Sequence, residues 1–223
     1  MNFREIVKHF RDRPFFESRE IVLLFDEPAP QVQARLSRWQ RQGKLIQLRR
    51  GRYLLSEEYR RFEVSDFYIA NYLHRPSYVS LQSALEYYDM IPEAVGMVLS
   101  LTTLHGRQWQ TPAGLFRYRS IGTARFWGYR EQGAVRAGEE ARQRRFLIAS
   151  PEKAVLDLFY LEPGDWTGER LEALRLQNLG AIDRERLVGF AEKFQSAKVQ
   201  RAAGRLLARI SQRVASRGRG KGC

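Results

Sequence analysis

The chain has 223 residues, of which 43% are hydrophobic, and a formal charge of +13 at pH 7. That hydrophobic fraction is enough for a buried core, but no run approaches the roughly 18 consecutive apolar residues of a membrane-spanning helix. The single cysteine, Cys223, excludes an internal disulfide and a cysteine-based zinc site. The first residues lack the basic and apolar segments of a signal peptide, so we expect a cytoplasmic protein without a membrane partner.

The positive charge is concentrated at the two ends of the chain. Residues 1–61 hold 14 Lys/Arg against 8 Asp/Glu, residues 62–192 hold 15 against 17, and residues 193–223 hold 9 against none. Clustered positive charge is typical of a surface that binds a polyanion, whereas charge that serves solubility alone is usually spread along a chain. The distribution therefore favours nucleic acid as a partner.

Three helices are predicted at the N-terminus. Apolar residues repeat at helical spacing from about residue 2 to 11, which predicts the first helix. Ser18 is predicted to cap a short second helix. The third begins near Pro30, which suits a first turn, and ends before Gly43. Its predicted buried face consists of Val32, Leu36 and Trp39.

The exposed side of the third predicted helix carries amide and guanidinium groups, which read base edges and bind phosphates in DNA. Two short β-prone segments follow, and Gly51 between them supplies the positive φ of a tight hairpin turn. Elements of these kinds in this order predict a winged helix-turn-helix over residues 1–58 that binds double-stranded DNA. The predicted DNA-binding residues are Gln31, Gln33, Arg35, Arg38, Arg41, Lys44, Arg49, Arg50 and Arg52.

The remainder of the chain predicts a larger α/β domain over residues 63–215, after a polar connector, and a basic flexible tail over residues 216–223. Ser80 and Ser150 are predicted to cap helices, and the pattern from Gly168 onward is helical. The predicted strands are residues 78–79, 98–103, 115–119 and 146–149. The predicted fold class is therefore mixed α+β, with a winged helix-turn-helix followed by a larger α/β domain that ends in helices.

Three ordered motifs occur in the first hundred residues of this larger domain. They are YVSLQSAL at residues 78–85 followed by Ile91-Pro92, then Thr102-Thr103, and then SPEKAVLD at residues 150–157. In this order they resemble the signature of AbiEi-type antitoxins of type IV toxin–antitoxin (abortive infection) systems. The resemblance covers roughly residues 5–165.

The resemblance implies a bacterial protein with two functions that contributes to phage defence. The winged helix would bind inverted repeats at its own promoter and repress the operon. The C-terminal domain would counteract a partner nucleotidyltransferase toxin, which it need not contact directly. An alternative from a different class is a stand-alone transcription regulator whose C-terminal domain binds a ligand or mediates assembly. A nucleotidyltransferase gene directly downstream would discriminate between the two.

No catalytic or cofactor site is recognisable in the sequence. His9, His74 and His105 are too scattered for a local metal motif, and no glycine-rich phosphate-binding motif precedes a helix. Ser80 and Ser150 stand directly before helical patterns, where capping is their ordinary role. We therefore predict a protein that is not an enzyme and requires no metal or cofactor.

Two groups of charged residues allow two interpretations each. Glu152, Lys153 and Asp157 are predicted either to form buried charge pairs that stabilise the domain, which we favour, or to form a functional surface. A spacing of four places a series of arginines on one face of a C-terminal helix, as a solvated face or as a second nucleic-acid contact. These are Arg201, Arg205, Arg209 and Arg213.

Overall fold

The structure, a computed structural model, describes residues 1–133 and 145–219. It contains a three-stranded sheet near the N-terminus and a six-stranded sheet in the larger region, each surrounded by helices. The mixed α+β class predicted from the sequence is therefore confirmed. Among the described helices, none combines the length and the apolar character that a membrane crossing requires.

The N-terminal elements form a compact unit. Its helices are α1 (Phe3–Phe10), α2 (Ser18–Phe25) and α3 (Ala29–Arg41), and its strands are β1 (Phe16–Glu17), β2 (Leu45–Arg49) and β3 (Arg52–Leu55). The strands pair antiparallel in the order β1-β3-β2. Gly51 has a φ of 74° in the turn between β2 and β3, and Gly43 has a φ of 71° just after α3. Both glycines thus hold a left-handed backbone, which was predicted for Gly51, and Gly43 follows the end of α3 as expected of a helix stop.

The predicted cap of α2 is wrong. Ser18 lies inside the helix, and the residue before it, Glu17, donates its backbone N–H to the Glu20 carboxylate at 2.9 Å. The reason is the short strand β1, which was not predicted. Because β1 pairs with β3 and leads directly into α2, the N–H of Ser18 donates to the carbonyl of Gly51 at 2.9 Å.

The two faces of the small sheet contact different cores. Successive side chains of a strand point to opposite faces. On β3, Tyr53 and Leu55 accordingly pack with the apolar faces of α1, α2 and α3, whereas Leu54 packs into the core of the larger region. Leu48 of β2 does the same. The small sheet is therefore enclosed between its own helices and the rest of the protein.

The larger region is built on a six-stranded sheet. Its strands are β4 (Ser77–Val79), β5 (Val98–Thr102), β6 (Arg107–Thr111), β7 (Gly114–Ser120), β8 (Tyr129–Gln132) and β9 (Phe146–Ala149). They lie in the order β6-β7-β5-β4-β9-β8, with β4–β9 and β5–β7 parallel and the other pairs antiparallel. Strands β6 and β8 were not predicted. All of their residues are exposed or half-buried, so these strands lack the alternation of buried apolar and exposed polar residues that predicts a strand.

Helices cover both faces of this sheet. They are α4 (Asp66–Leu73), α5 (Leu81–Tyr87), α6 (Pro151–Leu161), α7 (Gly168–Ala173), α8 (Arg184–Lys193) and α9 (Ala197–Arg219). Tyr118 of β7 donates its hydroxyl to the carbonyl of Ala70 in α4 at 2.6 Å. On the opposite face, Tyr78 of β4 donates its hydroxyl to Asp157 in α6 at 3.0 Å. The sheet is therefore the middle layer of this region.

Two further predictions concern the ends of helices. Ser150 accepts the N–H of Lys153 at 3.3 Å, so its predicted capping role is confirmed. Ser80 stands at the N-cap position of α5, but its hydroxyl donates to Asp157 at 2.8 Å and caps nothing, because a buried carboxylate is the stronger acceptor. Helix α9 continues to Arg219, so the predicted flexible tail begins within a helix. Residues 220–223 of that tail lie outside the described residues.

Candidate nucleic-acid interface

Helix α3 presents an exposed basic surface. Gln31, Arg38 and Arg41 are exposed on one side of the helix, together with Ala34, and we call these four residues the α3 surface. The side chains of Arg38 and Arg41 form no ion pair with the described residues. No acidic residue occurs from Pro28 to Ser56. The two guanidinium groups are therefore available to an external anion.

Two other predicted DNA-binding residues contact the start of the chain instead. Arg35 lies 3.2 Å from the carboxylate of Glu27 and also donates to the carbonyl of Met1. The ammonium of Lys44 lies 5.2 Å from the ring centroid of Phe3, at the distance of a cation–π contact. Arg35 and Lys44 therefore stabilise the packing of α1 and the N-terminus beside α3.

Gln33 connects helix α3 to the small sheet. Its side-chain amide donates to the hydroxyl of Tyr53 at 3.3 Å, and the amide of Gln47 on β2 donates to the same hydroxyl at 3.3 Å. Tyr53 itself is fully buried. Gln33 remains exposed, but its amide has a partner within the protein, unlike the guanidinium groups of the α3 surface.

The three arginines at the turn between β2 and β3 have different surroundings. Arg50 is exposed, and its side chain has no ion-pair partner among the described residues. Arg49 donates to the carbonyl of Leu73 at 3.0 Å. Arg52 lies 3.2 Å from the carboxylate of Glu17, and its guanidinium lies 4.9 Å from the ring centroid of Tyr72 in α4. Arg49 and Arg52 therefore fix the hairpin to the larger region, and Arg50 is left facing solvent.

Aromatic stacking completes this junction. Phe15, which precedes β1, stacks on Tyr72 with ring centroids 3.8 Å apart and on Tyr68 with centroids 5.3 Å apart. Phe15 is 6% exposed, and such stacked pairs stabilise beyond their buried area. The N-terminal unit is thus packed directly on α4.

The motif residues that carry the family resemblance meet in a buried polar cluster, which we call the Lys153 cluster: Tyr78, Ser80, Lys153 and Asp157. Lys153 forms an ion pair with Asp157 and donates to the Tyr78 hydroxyl at 3.0 Å. Burial lowers the pKa of Lys153, and burial raises the pKa of Asp157 against the opposing effects of Lys153, Ser80 and Tyr78. All four side chains are fully buried. The cluster is internal to the fold and does not form a surface.

Gly128 leaves space for the buried side chain of Lys153. Its φ is +75°, and a Cβ at this position would stand 3.0 Å from two carbons of the Lys153 side chain. A larger residue would therefore meet both a strained backbone and a close contact. Glycine here allows the chain before β8 to pass directly over the aliphatic part of the buried lysine.

Glu152 is also buried but is not part of the Lys153 cluster. Its carboxylate accepts the hydroxyl of Ser150 at 2.8 Å and the backbone N–H of Asp183 at 2.8 Å, and Arg186 lies 3.8 Å away. The favoured interpretation of buried charge pairs thus holds for Lys153 and Asp157. Glu152 instead ties the start of α6 to the start of α8.

The C-terminal arginine series contacts the segment that precedes it. Arg201 lies 2.9 Å from the carboxylate of Asp165, and Arg209 lies 3.2 Å from that of Glu172. Arg205 donates to the carbonyl of Trp166 at 2.6 Å. The side chain of Arg213 lies outside the described residues. These contacts favour a structural role for the series over a second nucleic-acid contact.

One group of basic residues was not predicted from the sequence. His74 and His105 are far apart in sequence, yet the Nε2 of His74 lies 3.2 Å from the carbonyl of His105, and Arg49 and Arg107 line the same cavity. No local pattern brings these residues together, because they belong to three segments that are far apart in the sequence. Across residues 1–133 and 145–219, no three His, Cys, Asp or Glu side chains are grouped as metal ligands would be.

No protein-family model matches the chain, and no curated protein matches it. The resemblance described above therefore rests on the motif residues themselves.

Proposed function

We propose that the protein is a cytoplasmic antitoxin of the type IV class that also represses its own operon. In this proposal the N-terminal unit is a winged helix-turn-helix that binds operator DNA with inverted repeats. The larger region counteracts a nucleotidyltransferase toxin encoded beside it. Neither function requires catalysis by this chain.

The α3 surface is the observation that carries the DNA-binding part. Arg38 and Arg41 are exposed cations without ion-pair partners among the described residues, and they lie on a stretch of chain that holds no acidic residue. A helix of 13 residues with one apolar and one basic face has the dimensions to enter the major groove. Arginine binds guanine or phosphate there in a bidentate manner, and Gln31 supplies an amide at the beginning of the same face.

The tip of the hairpin contributes one phosphate contact in this arrangement. Arg50 faces solvent at its tip, whereas Arg49 and Arg52 are bound to the protein. We therefore assign Arg50 to the DNA backbone, and we assign Arg49 and Arg52 to holding the hairpin in a fixed orientation. A fixed hairpin lowers the entropic cost of binding because less ordering is needed on contact.

A direct binding experiment tests the DNA-binding proposal. The labelled duplex is the DNA immediately upstream of the coding sequence, and a scrambled duplex of the same length measures non-specific binding at the same salt concentration. The double variant R38Q/R41Q should lose about a hundredfold in affinity, since each arginine contact to a base contributes about 1–3 kcal/mol. The matched control R184Q removes an exposed arginine of α8 that forms no ion pair within residues 1–133 and 145–219, and it should bind as the wild type does. Equal affinity of a folded R38Q/R41Q and the wild type would refute the assignment of the α3 surface.

The antitoxin part is supported by the motif resemblance and by the way the motif residues meet in the structure. Tyr78 and Ser80 come from one motif, and Lys153 and Asp157 come from another, yet all four side chains form one hydrogen-bonded cluster. Residues of separate motifs that depend on one another for their hydrogen bonds are expected to occur together in a sequence.

Co-expression separates the two proposed functions. The wild type should restore growth of cells that express the neighbouring nucleotidyltransferase and should repress a reporter under its own promoter. R38Q/R41Q should still restore growth but no longer repress. If the wild type does not restore growth, the antitoxin function is refuted and the stand-alone transcription regulator becomes the proposed function. If the wild type restores growth and R38Q/R41Q does not, DNA binding and toxin neutralisation are not separable.

A further inference from the structure

A basic cavity lies where the N-terminal hairpin meets the six-stranded sheet. It is open to solvent, has a volume of about 770 Å³, and we call it the junction cavity. Arg49 of β2 contributes one wall and Arg107 of β6 contributes another. The remaining lining residues are His74, Thr103, Leu104, His105, Trp109, Ser120, Ile121 and Gly122.

Among the residues that the structure describes, no acidic side chain lines the junction cavity. Arg107 forms no ion pair within the described part of the chain. The carboxylate of Glu17 acts on Arg49, but it is already shared between Arg19 at 2.6 Å and Arg52 at 3.2 Å. Burial, together with the charges of Arg52 and Arg107, lowers the pKa of Arg49. Cations held together with too little counter-charge favour the binding of an anion between them.

Contacts within the protein orient Arg49 and His74 on one side of the cavity, whereas Arg107 is exposed. Arg49 is oriented by its hydrogen bond to the carbonyl of Leu73. The His74 ring packs edge-on against Trp109 and Tyr118, with centroids 5.2 and 5.1 Å away, and donates to the carbonyl of His105. A preorganised site loses less entropy on binding than a set of free surface side chains. The fixed orientation of Arg49 and His74 therefore distinguishes the cavity from a group of freely rotating surface arginines.

We propose that the junction cavity binds a phosphate group between Arg49 and Arg107. Two guanidinium groups match the charge of a phosphate dianion, and their planar donors suit its oxygens. The volume exceeds that of a bare anion, and Trp109, Leu104 and Ile121 offer an apolar wall to the molecule that carries the phosphate. The phosphate belongs either to the backbone of bound DNA or to a small phosphorylated molecule. The site itself does not depend on the DNA-binding proposal.

The site is tested by titration in the absence of DNA. Inorganic phosphate, and then a nucleoside monophosphate, are added to the full chain at constant ionic strength, and the NMR signal of the Trp109 indole N–H is followed. We expect a saturable shift of that signal in the wild type. R107Q should weaken phosphate binding by about tenfold or more, because it removes a charge-assisted contact.

Two controls keep this result interpretable. R117Q removes an exposed arginine of the neighbouring strand β7 that forms no ion pair in the described part of the chain, and it should bind phosphate as the wild type does. R107K keeps the charge but not the planar donors, so its affinity should lie between those of the wild type and R107Q. Absence of a Trp109 shift in the wild type would overturn the proposal. Equal phosphate affinities of R107Q and R117Q would overturn it as well.

The source of the phosphate is resolved by repeating the titration with the duplex bound. If the DNA backbone occupies the cavity, the duplex should compete with free phosphate, and R107Q should reduce the salt slope of DNA binding by about one. If a small molecule occupies it, phosphate should bind the DNA complex unchanged and the slope should stay the same. A protein that binds phosphate but no DNA would refute the proposed function and retain this site.

Discussion

Lys153 and Asp157 form an ion pair one helical turn apart on α6, and neither side chain has any exposed surface. The pair is completed by the hydroxyls of Tyr78 and Ser80, both of which donate to Asp157. Breaking such a pair is costly because the remaining charge stays buried without compensation. The same helix carries one of the motifs on which the family resemblance rests. In this chain, Lys153 and Asp157 of that motif form the buried ion pair.

Replacing one partner of this pair should destabilise the protein strongly. We expect Lys153→Met to lower the free energy of unfolding by about 3–5 kcal/mol, because Asp157 is left as an unpaired buried carboxylate. The double variant K153M/D157L should cost less than the single one, since it leaves no buried charge. Urea unfolding followed by tryptophan fluorescence measures both. K8M, which removes an exposed lysine from α1, serves as the control. A double variant less stable than K153M would contradict this account.

The stacking of Phe15 on Tyr72 should contribute to stability as a core contact does. Phe15→Ala removes a ring that is 6% exposed, and buried phenylalanines cost about 3–5 kcal/mol when truncated to alanine. The matched control is Leu23→Ala on α2, where the side chain is 81% exposed and the expected change lies within about 0.5 kcal/mol. Chemical denaturation compares the two. A cost for F15A no larger than that for L23A would show that the junction does not stabilise the protein.

Arg50 and Arg52 should affect DNA binding in different ways. Arg50→Gln should reduce the slope of log affinity against log salt concentration by about 0.9, since one phosphate contact is lost. Arg52→Gln should leave that slope unchanged and should instead lower stability, because Arg52 contacts Glu17 and Tyr72. Affinity measurements from low to moderate salt give both slopes. The assignment fails if the two variants show the same slope.

His74 should make stability dependent on pH. Burial lowers the pKa of His74, with Arg107 and Arg49 acting in the same direction and the hydrogen bond to His105 opposing them. The unfolded chain therefore binds the proton more readily, so stability rises with pH. The contribution is fully present above the ordinary histidine pKa of about 6.5 and is lost as the pH falls through the lowered value. Unfolding free energies of the wild type and H74Q between pH 5 and 7.5 should diverge, with the shallower dependence in H74Q. Identical pH profiles would contradict the lowered pKa.

The elements that local pattern predicts are largely present. Helix α3, the hairpin β2–β3 and helix α6 each combine a regular apolar spacing with a turn or cap residue, so a short stretch of sequence is sufficient to recognise them. Strand β6 was missed because its side chains are mostly exposed, and its place in the sheet depends on pairing with β7. The hydroxyl of Ser80 was misassigned because its partner, Asp157, lies 77 positions away in the chain.

The same limit applies to the candidate site. Residue types predicted the basic character of α3 and of the hairpin tip correctly, and Arg38, Arg41 and Arg50 are exposed as a DNA contact requires. The sequence did not distinguish these arginines from Arg49 and Arg52, because charge pattern is the same for a free and a bound guanidinium. The difference arises from α4, which supplies the carbonyl of Leu73 and the ring of Tyr72.

The enclosure of the small sheet limits how the N-terminal unit could be reused. An N-terminal unit that folds by itself could be fused to an unrelated domain by cutting the connector. In this protein such a graft would strip Phe15, Leu48 and Leu54 of the apolar neighbours that cover them. A working chimera would have to carry α4 along with the hairpin, so the smallest portable unit extends past the connector to about residue 74.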